Sequence, residues 1–130
     1  MLNSPVASIR TTVPATGSNV AVNGNFNTAV GRHSLASNTT ASYNTVVGGC
    51  ALYTNTTGCR NVATGFWALR YNTTGCHNTA SGNYALHSNT TANFNSAYGY
   101  HSLKDNTTGY TNTASGSYDY VTQNSTGCDS

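Results

Sequence analysis

Apolar and polar residues recur along this chain with a fixed 17-residue period. Residues 27–43 read NTAVGRHSLASNTTASY and residues 44–60 read NTVVGGCALYTNTTGCR. Three further copies follow, and a sixth, with one inserted residue, begins at Asn112. Each complete copy opens with Asn, has Gly four residues later, Leu after four more, and Asn before two small polar residues after three more. Self-similarity at a short fixed period is the signature of stacked structural repeats.

The repeat predicts an all-β fold, a parallel β-solenoid (β-roll) of about six 17-residue coils with an N-terminal extension. Thr, Asn and Gly are poor helix formers, whereas coils of this length stack with a spacing of about 4.8 Å into a rod roughly 29 Å tall. Equivalent residues then form columns along the rod. We expect Asn columns to form side-chain amide ladders, and the Gly column to mark bends with positive φ. The leucine column should fill the core: Leu35, Leu52, Leu69, Leu86 and Leu103.

Residues 1–26 fit the repeat poorly and precede the predicted repeat domain, residues 27–130. This segment is interpreted either as a cap on the first coil or as an assembly arm that adds a strand to the next subunit. The apolar residues that would serve such an arm are Val6, Ile9, Val13, Val20 and Val22.

The composition argues against several classes of function. The chain of 130 residues carries five Lys and Arg, three Asp and no Glu, with a net charge of +2. Five scattered cations disfavour nucleic-acid binding, and three Asp leave little for acid–base catalysis. No apolar run is long enough for a membrane span, and no His or Cys spacing suggests zinc. We therefore predict a protein that is not an enzyme and has no catalytic residues, metal or cofactor.

The copies resemble a family of short repeats with the pattern N-T-A-x-G-x-x-A-L-x-x-N-T-T-G, found in surface fibres, phage tail fibres and secreted proteins. They are also similar to the head repeats of YadA-type trimeric autotransporter adhesins, which read N-S-V-A-I-G and form a left-handed parallel β-roll. The resemblance covers residues 27–127. It implies an extracellular, fibrous and non-catalytic protein.

The cysteines fall at informative places in the repeat. Cys59 and Cys76 share a column in adjacent coils, so their Cα atoms should lie about 4.8 Å apart, which suits a disulfide. Cys50 and Cys128 are too far apart to meet within one chain. They are candidate intersubunit cysteines for subunits that stack end to end.

Six N-x-[ST] sequons are present, five of them in one column. That column is either an internal amide ladder or an outward stripe that could carry covalent N-linked glycans. The glycosylation candidates are Asn38, Asn55, Asn72, Asn89, Asn106 and Asn124.

One further column is aromatic, with Trp67, Tyr84, His101 and Tyr118 at equivalent positions. It is interpreted as cross-strand packing or as a stripe that binds sugars.

The sequence therefore favours a structural, homo-oligomeric subunit that assembles head to tail into an extracellular or cell-surface fibre. The alternative is an adhesin head or phage tail-fibre module that binds surface glycans. A minor alternative is an ice-binding protein, because Thr39, Thr56, Thr73, Thr90 and Thr107 form a regular hydroxyl row. The two adjacent threonines of each copy point to opposite faces, however, so they do not supply two hydroxyl rows on one face.

Overall fold

The computed structural model describes residues 26–119, which form an all-β parallel solenoid of about five turns without a helix. Each repeat copy is one rung and contributes one short strand. The strands are β1 (Thr28–Val30), β2 (Thr45–Val47), β3 (Val62–Thr64), β4 (Thr79–Ser81), β5 (Ser96–Tyr98) and β6 (Thr113–Ser115). They pair in sequence order in one six-stranded sheet, which confirms the predicted fold class.

Strand pairing joins equivalent residues of neighbouring rungs. Ala29 pairs with Val46, Val46 with Ala63, and the same step of one repeat continues to β6. The central residue of every strand is buried, while the two flanking residues are exposed or half-buried. The constant repeat length therefore fixes the register, because a slip of one residue would turn the buried side chain outward.

The apolar part of the interior is narrow and consists of two small-residue columns and the leucines. The central strand residues face the leucine column and a second column that includes Ala51, Ala68 and Ala85. The four inner leucines are fully buried and Leu103 is 2% exposed, so the predicted core is confirmed. Burying one leucine contributes roughly 1.5–3 kcal/mol, and the small columns let the opposite walls of the coil approach.

The Asn residues that open the rungs form a buried hydrogen-bond ladder, as the sequence predicts. The Oδ1 atom of Asn44 accepts the backbone N–H of Asn61 at 2.9 Å, and its Nδ2 donates to the Gly58 carbonyl at 3.0 Å. One side chain thus joins the start of its rung both to the end of that rung and to the next rung. The same bond to the next rung recurs from Asn27 to Asn112.

The structure describes none of residues 1–25 or 120–130. The predicted assembly arm, the sequon at Asn124 and the cysteine at Cys128 lie outside the described residues. Within residues 26–119, no helix has the length and apolar character needed to cross a membrane.

Candidate functional site

The sequon column lies inside the rod, so its side chains do not form the outward stripe that was the second interpretation of this column. Asn55, Asn72 and Asn89 are fully buried, Asn38 is nearly so, and Asn106 is half-buried. The Nδ2 of Asn72 donates to Asn55 Oδ1 at 2.8 Å and to the Gly75 carbonyl at 2.9 Å. All five Asn side chains hold the turn that follows them, and those of Asn72, Asn89 and Asn106 also bond the preceding rung. The internal-ladder interpretation is confirmed, because the amide nitrogens that a glycan would need are used in the folded chain.

Cys59 and Cys76 occupy the same column of adjacent rungs but are free thiols, so the predicted disulfide is not formed. The Cys76 Sγ accepts the backbone N–H of Cys59 at 3.0 Å, and the Cys59 Sγ lies 3.3 Å from the Thr57 carbonyl. Cys50 is also free and is half-buried.

The threonine row proposed for ice binding is occupied by internal hydrogen bonds. The hydroxyl of Thr56 donates to the Thr73 carbonyl at 3.2 Å, and that of Thr73 donates to Thr90 at 3.1 Å. A different surface has two parallel rows of side chains that are small except at Tyr98, namely the outer side of the sheet, hereafter the sheet face. Its rows comprise Thr28, Thr45, Val62, Thr79, Ser96 and Thr113, and Val30, Val47, Thr64, Ser81, Tyr98 and Ser115.

Aromatic rings form a continuous ladder along the rod, in the column two residues after the Gly column. Ring centroids are 5.3 Å apart for Trp67 and Tyr84, 4.8 Å for Tyr84 and His101, and 5.0 Å for His101 and Tyr118. The rings of this column therefore pack from rung to rung, edge to face at the first of these steps and tilted at the next two. A neighbouring column adds Phe66, stacked on Trp67 at 5.1 Å, and Tyr100, stacked on His101 at 4.1 Å. We call these six rings, together with Arg70 and His87, the aromatic face.

Phe66, Tyr100, Arg70 and His87 were not singled out from the sequence. Their columns are interrupted by residues of other types, such as Gly49 and Asn83, so neither reads as aromatic or basic along the chain. Their position is the sequence signal that could have identified them. Phe66 and Tyr100 lie one residue before the aromatic column, and Arg70 and His87 lie three residues after it. The columns of Phe66, Trp67 and Arg70 belong to the same turn of the rung, so their side chains share one surface.

Arg70 is held by ring faces rather than by a carboxylate. Its guanidinium carbon lies 4.4 Å from the Trp67 ring centre, 4.8 Å from that of Tyr53 and 5.4 Å from that of Tyr71. Burial works against the charge, but the hydrogen bonds of the Tyr71 and Cys50 side chains outweigh it and raise the pKa of Arg70. The Nε and Nη1 atoms are buried and make no hydrogen bond in the described part of the chain. Arg70 therefore stays charged without an acidic partner there.

His87 lies beside Arg70 and stacks on Trp67 at 5.6 Å. Burial lowers the pKa of His87 below its usual value of 6.5, and the positive charges of Lys104 and Arg70 lower it further. A neutral imidazole at this position is consistent with a positive local potential on the aromatic face.

Every residue of the aromatic column adopts a left-handed backbone conformation, with φ between 54° and 63°. The conformation favours Gly and Asn and costs other residues about 1–2 kcal/mol each. The column nonetheless contains neither of them: His33, Cys50, Trp67, Tyr84, His101 and Tyr118. The leucine column has the same conformation, and so does the column of Phe26, Tyr43, Arg60, His77, Phe94 and Thr111, so the left-handed residues belong to the shape of the coil.

Within residues 26–119, no group of three or more His, Cys, Asp or Glu side chains could hold a metal ion. The one ion pair among these residues joins Lys104 to Asp105 at 3.2 Å on the surface. Comparison with protein-family models, with curated proteins and with solved structures found no match.

Proposed function

We propose that this protein is a structural subunit that stacks head to tail into an extracellular fibre. The observation that carries the proposal is the uniform register: every neighbouring pair of strands from β1 to β6 is parallel and offset by one whole repeat. An end rung with the same edge geometry can pair with a rung of a second copy in the way that neighbouring rungs pair within the chain.

The type of contact supports a filament rather than a closed oligomer. Parallel rungs have different upper and lower edges, so two copies would meet through unlike surfaces, and such heterologous contacts propagate when no rotation closes them. The resemblance of the repeats to those of surface fibres agrees with this arrangement. In this proposal, residues 1–26 add a strand across the junction, and Cys50 and Cys128 make the junction covalent.

Negative-stain electron microscopy of the purified full chain tests the proposal. We expect unbranched filaments of one rod width whose length increases with protein concentration. Discrete short particles, such as trimers, would refute head-to-tail assembly and favour an adhesin-type module. Electrophoresis without reductant tests the covalent link separately: a ladder of multimers that collapses with reductant supports it, and monomer alone excludes it.

The sheet face favours ice binding as a second candidate function. Its two outward rows are separated by two residues along each strand, about 6.6 Å, and repeat along the rod at about 4.8 Å. Hydroxyl and methyl groups in a regular two-dimensional array are suited to ordering water against an ice lattice.

An ice-recrystallisation assay tests this second candidate with one variant. Thr79 lies near the centre of the sheet face, and Thr79→Lys should abolish inhibition of crystal growth if this face binds ice. The matched variant Thr74→Lys, at an exposed position outside the sheet, should retain inhibition. No inhibition by the unmodified chain would exclude the function.

A further inference from the structure

The aromatic face exposes ring surface on the third, fifth and sixth rungs. Phe66 and Tyr100 are each 43% exposed and Tyr118 is 54% exposed. Their neighbours Trp67, Tyr84 and His101 are half-buried and support them from the adjoining column. Rings in different rungs offer separate stacking surfaces along the rod axis. The length of one sugar unit in a linear glycan is similar to the spacing between neighbouring rungs.

Charge restricts the kind of ligand that fits this surface. Arg70 lies against three rings and has hydrogen bonds with the Tyr71 and Cys50 side chains. Two further nitrogens are buried without hydrogen bonds, and no acidic partner is present among the described residues. His87, beside Arg70, carries no negative charge that could compensate the guanidinium. Lys104 occupies the equivalent position in the rung after that of His87. The aromatic face thus combines apolar ring surface with an uncompensated cation, which complements a ligand carrying carboxylates.

We propose that the aromatic face binds a linear acidic glycan, with its sugar rings stacked on the aromatic rings and a carboxylate paired with Arg70. The apolar C–H face of a pyranose lies on a ring such as Phe66 or Tyr100. The uronate carboxylate accepts hydrogen bonds from the guanidinium after a small movement of the surrounding rings. The glycan runs along the rod, so its affinity for the chain rises with the number of sugars.

A single-stranded nucleic acid also combines flat rings with negative charge. The aromatic face suits it less well, because a nucleic acid has a phosphate at every nucleotide, whereas the described chain has four Lys and Arg residues in all. A glycan with carboxylates spaced along a mostly neutral chain matches this low charge density.

The single tryptophan of the chain, Trp67, lies within the aromatic face, so its fluorescence reports binding directly. We would titrate the full chain with an oligogalacturonate hexamer, with a neutral cello-oligosaccharide of the same length, and with oligo(dT). The proposal expects saturable binding of the galacturonate, at least about tenfold tighter than the neutral sugar, because one charge-assisted contact is worth about 1.5–3 kcal/mol. Added salt should weaken that preference.

Two matched pairs of variants locate the site. Phe66→Ser should weaken both sugars, while Phe94→Ser, at a ring that is 56% exposed and stacked on His77 elsewhere on the coil, should not. Arg70→Gln should remove the preference for the acidic sugar. Arg60→Gln, whose guanidinium lies 5.1 Å from the Tyr43 ring centre, should retain it. If Arg70→Gln does not fold, Arg70→Lys keeps the charge but loses the planar pairing, and should reduce the preference severalfold.

Three results would overturn the proposal. One is the absence of any fluorescence change or heat with oligogalacturonate. The second is equal loss of binding in Arg60→Gln and Arg70→Gln, which would show nonspecific charge attraction. The third is binding of oligo(dT) as tight as that of the galacturonate, which would assign the face to nucleic acid. All three measurements apply whether or not the chain forms filaments, so they are independent of the structural role.

Discussion

Gly65 illustrates why one residue type is required at the bend after each strand. Its φ is +127°, and a Cβ built on it would lie 2.7 Å from the carbonyl carbon of Gly82 in the next rung. Both the backbone conformation and the stacking distance therefore exclude a side chain. The need for positive φ was predictable from the Gly column, but the close approach of the rungs was not.

Gly65→Ala should destabilise the fold by about 3 kcal/mol, because it adds backbone strain and overpacking between rungs. The control is Gly49→Ala, where φ is not in the left-handed region and the nearest atom is the Phe66 Cδ2 at 3.4 Å. Chemical denaturation should separate the two variants clearly. Equal stability of both would show that the rungs are not packed this closely.

His87 makes the stability depend on pH in a defined direction. Its pKa is lowered in the folded chain, first by burial and then by Lys104 and Arg70, so the unfolded chain binds the proton more tightly. The stabilisation is complete above the unfolded value of about 6.5 and is lost as the pH falls through the lower folded value.

Melting temperatures measured from about pH 7.5 to pH 5 test this linkage. The unmodified chain should become less stable toward acid, and His87→Gln should have a shallower dependence. The exposed His77 provides the control, since His77→Gln should keep the slope of the parent. An identical slope in the His87 variant would contradict the assignment.

At the scale of the rung, polar side chains hold the coil as much as the leucines do. The ladder of Asn55, Asn72 and Asn89 is fully buried and connects successive rungs. Asn72→Ala would leave the Asn55 Oδ1 without its donor and one N–H of the Asn89 Nδ2 without its acceptor. Each unsatisfied buried group costs about 1–3 kcal/mol.

We therefore expect Asn72→Ala to lower the free energy of unfolding by about 3 kcal/mol. Asn83→Ala is the matched control, because Asn83 is exposed and water can replace its Oδ1 as acceptor for the Phe66 N–H. Denaturant titration measures both. A loss in the Asn72 variant no larger than in the control would mean that the ladder contributes little.

The columns were predictable from the sequence because a fixed period places equivalent residues above one another. The direction of each side chain was not, and the sequon column shows why. Asn38 and its equivalents are polar and precede threonines, which is typical of a surface, yet the turn after them brings the carbonyl three residues later within reach of Nδ2. That local bond turns the amides inward.

The same limit applies to the cysteines and to the aromatic face. Column sharing predicted the proximity of Cys59 and Cys76, but the sulfur positions follow from rotamers that the period does not determine. The position of Arg70 among Trp67, Tyr53 and Tyr71 depends on how neighbouring columns share one turn. Contacts between columns require the shape of the coil, which a one-dimensional repeat does not contain.

At the scale of the whole molecule, each rung depends mainly on its two neighbours. Strand contacts in the described segment join only consecutive strands. Solenoids of this kind lengthen or shorten by whole repeats, so removal of residues 78–94, one complete rung, should bring the rungs on either side together without a change of register. Removal of residues 78–86 would instead misalign every column that follows.

The axial repeat of filaments, measured by electron cryomicroscopy, tests the central claim most directly. If the chain is a stack of 17-residue rungs that assembles head to tail, the variant lacking residues 78–94 will form filaments whose subunit repeat is shorter by one rung, about 4.8 Å. The variant lacking residues 78–86 will not form ordered filaments. An unchanged repeat in the whole-rung deletion, or the absence of filaments from the unmodified chain, would contradict the account.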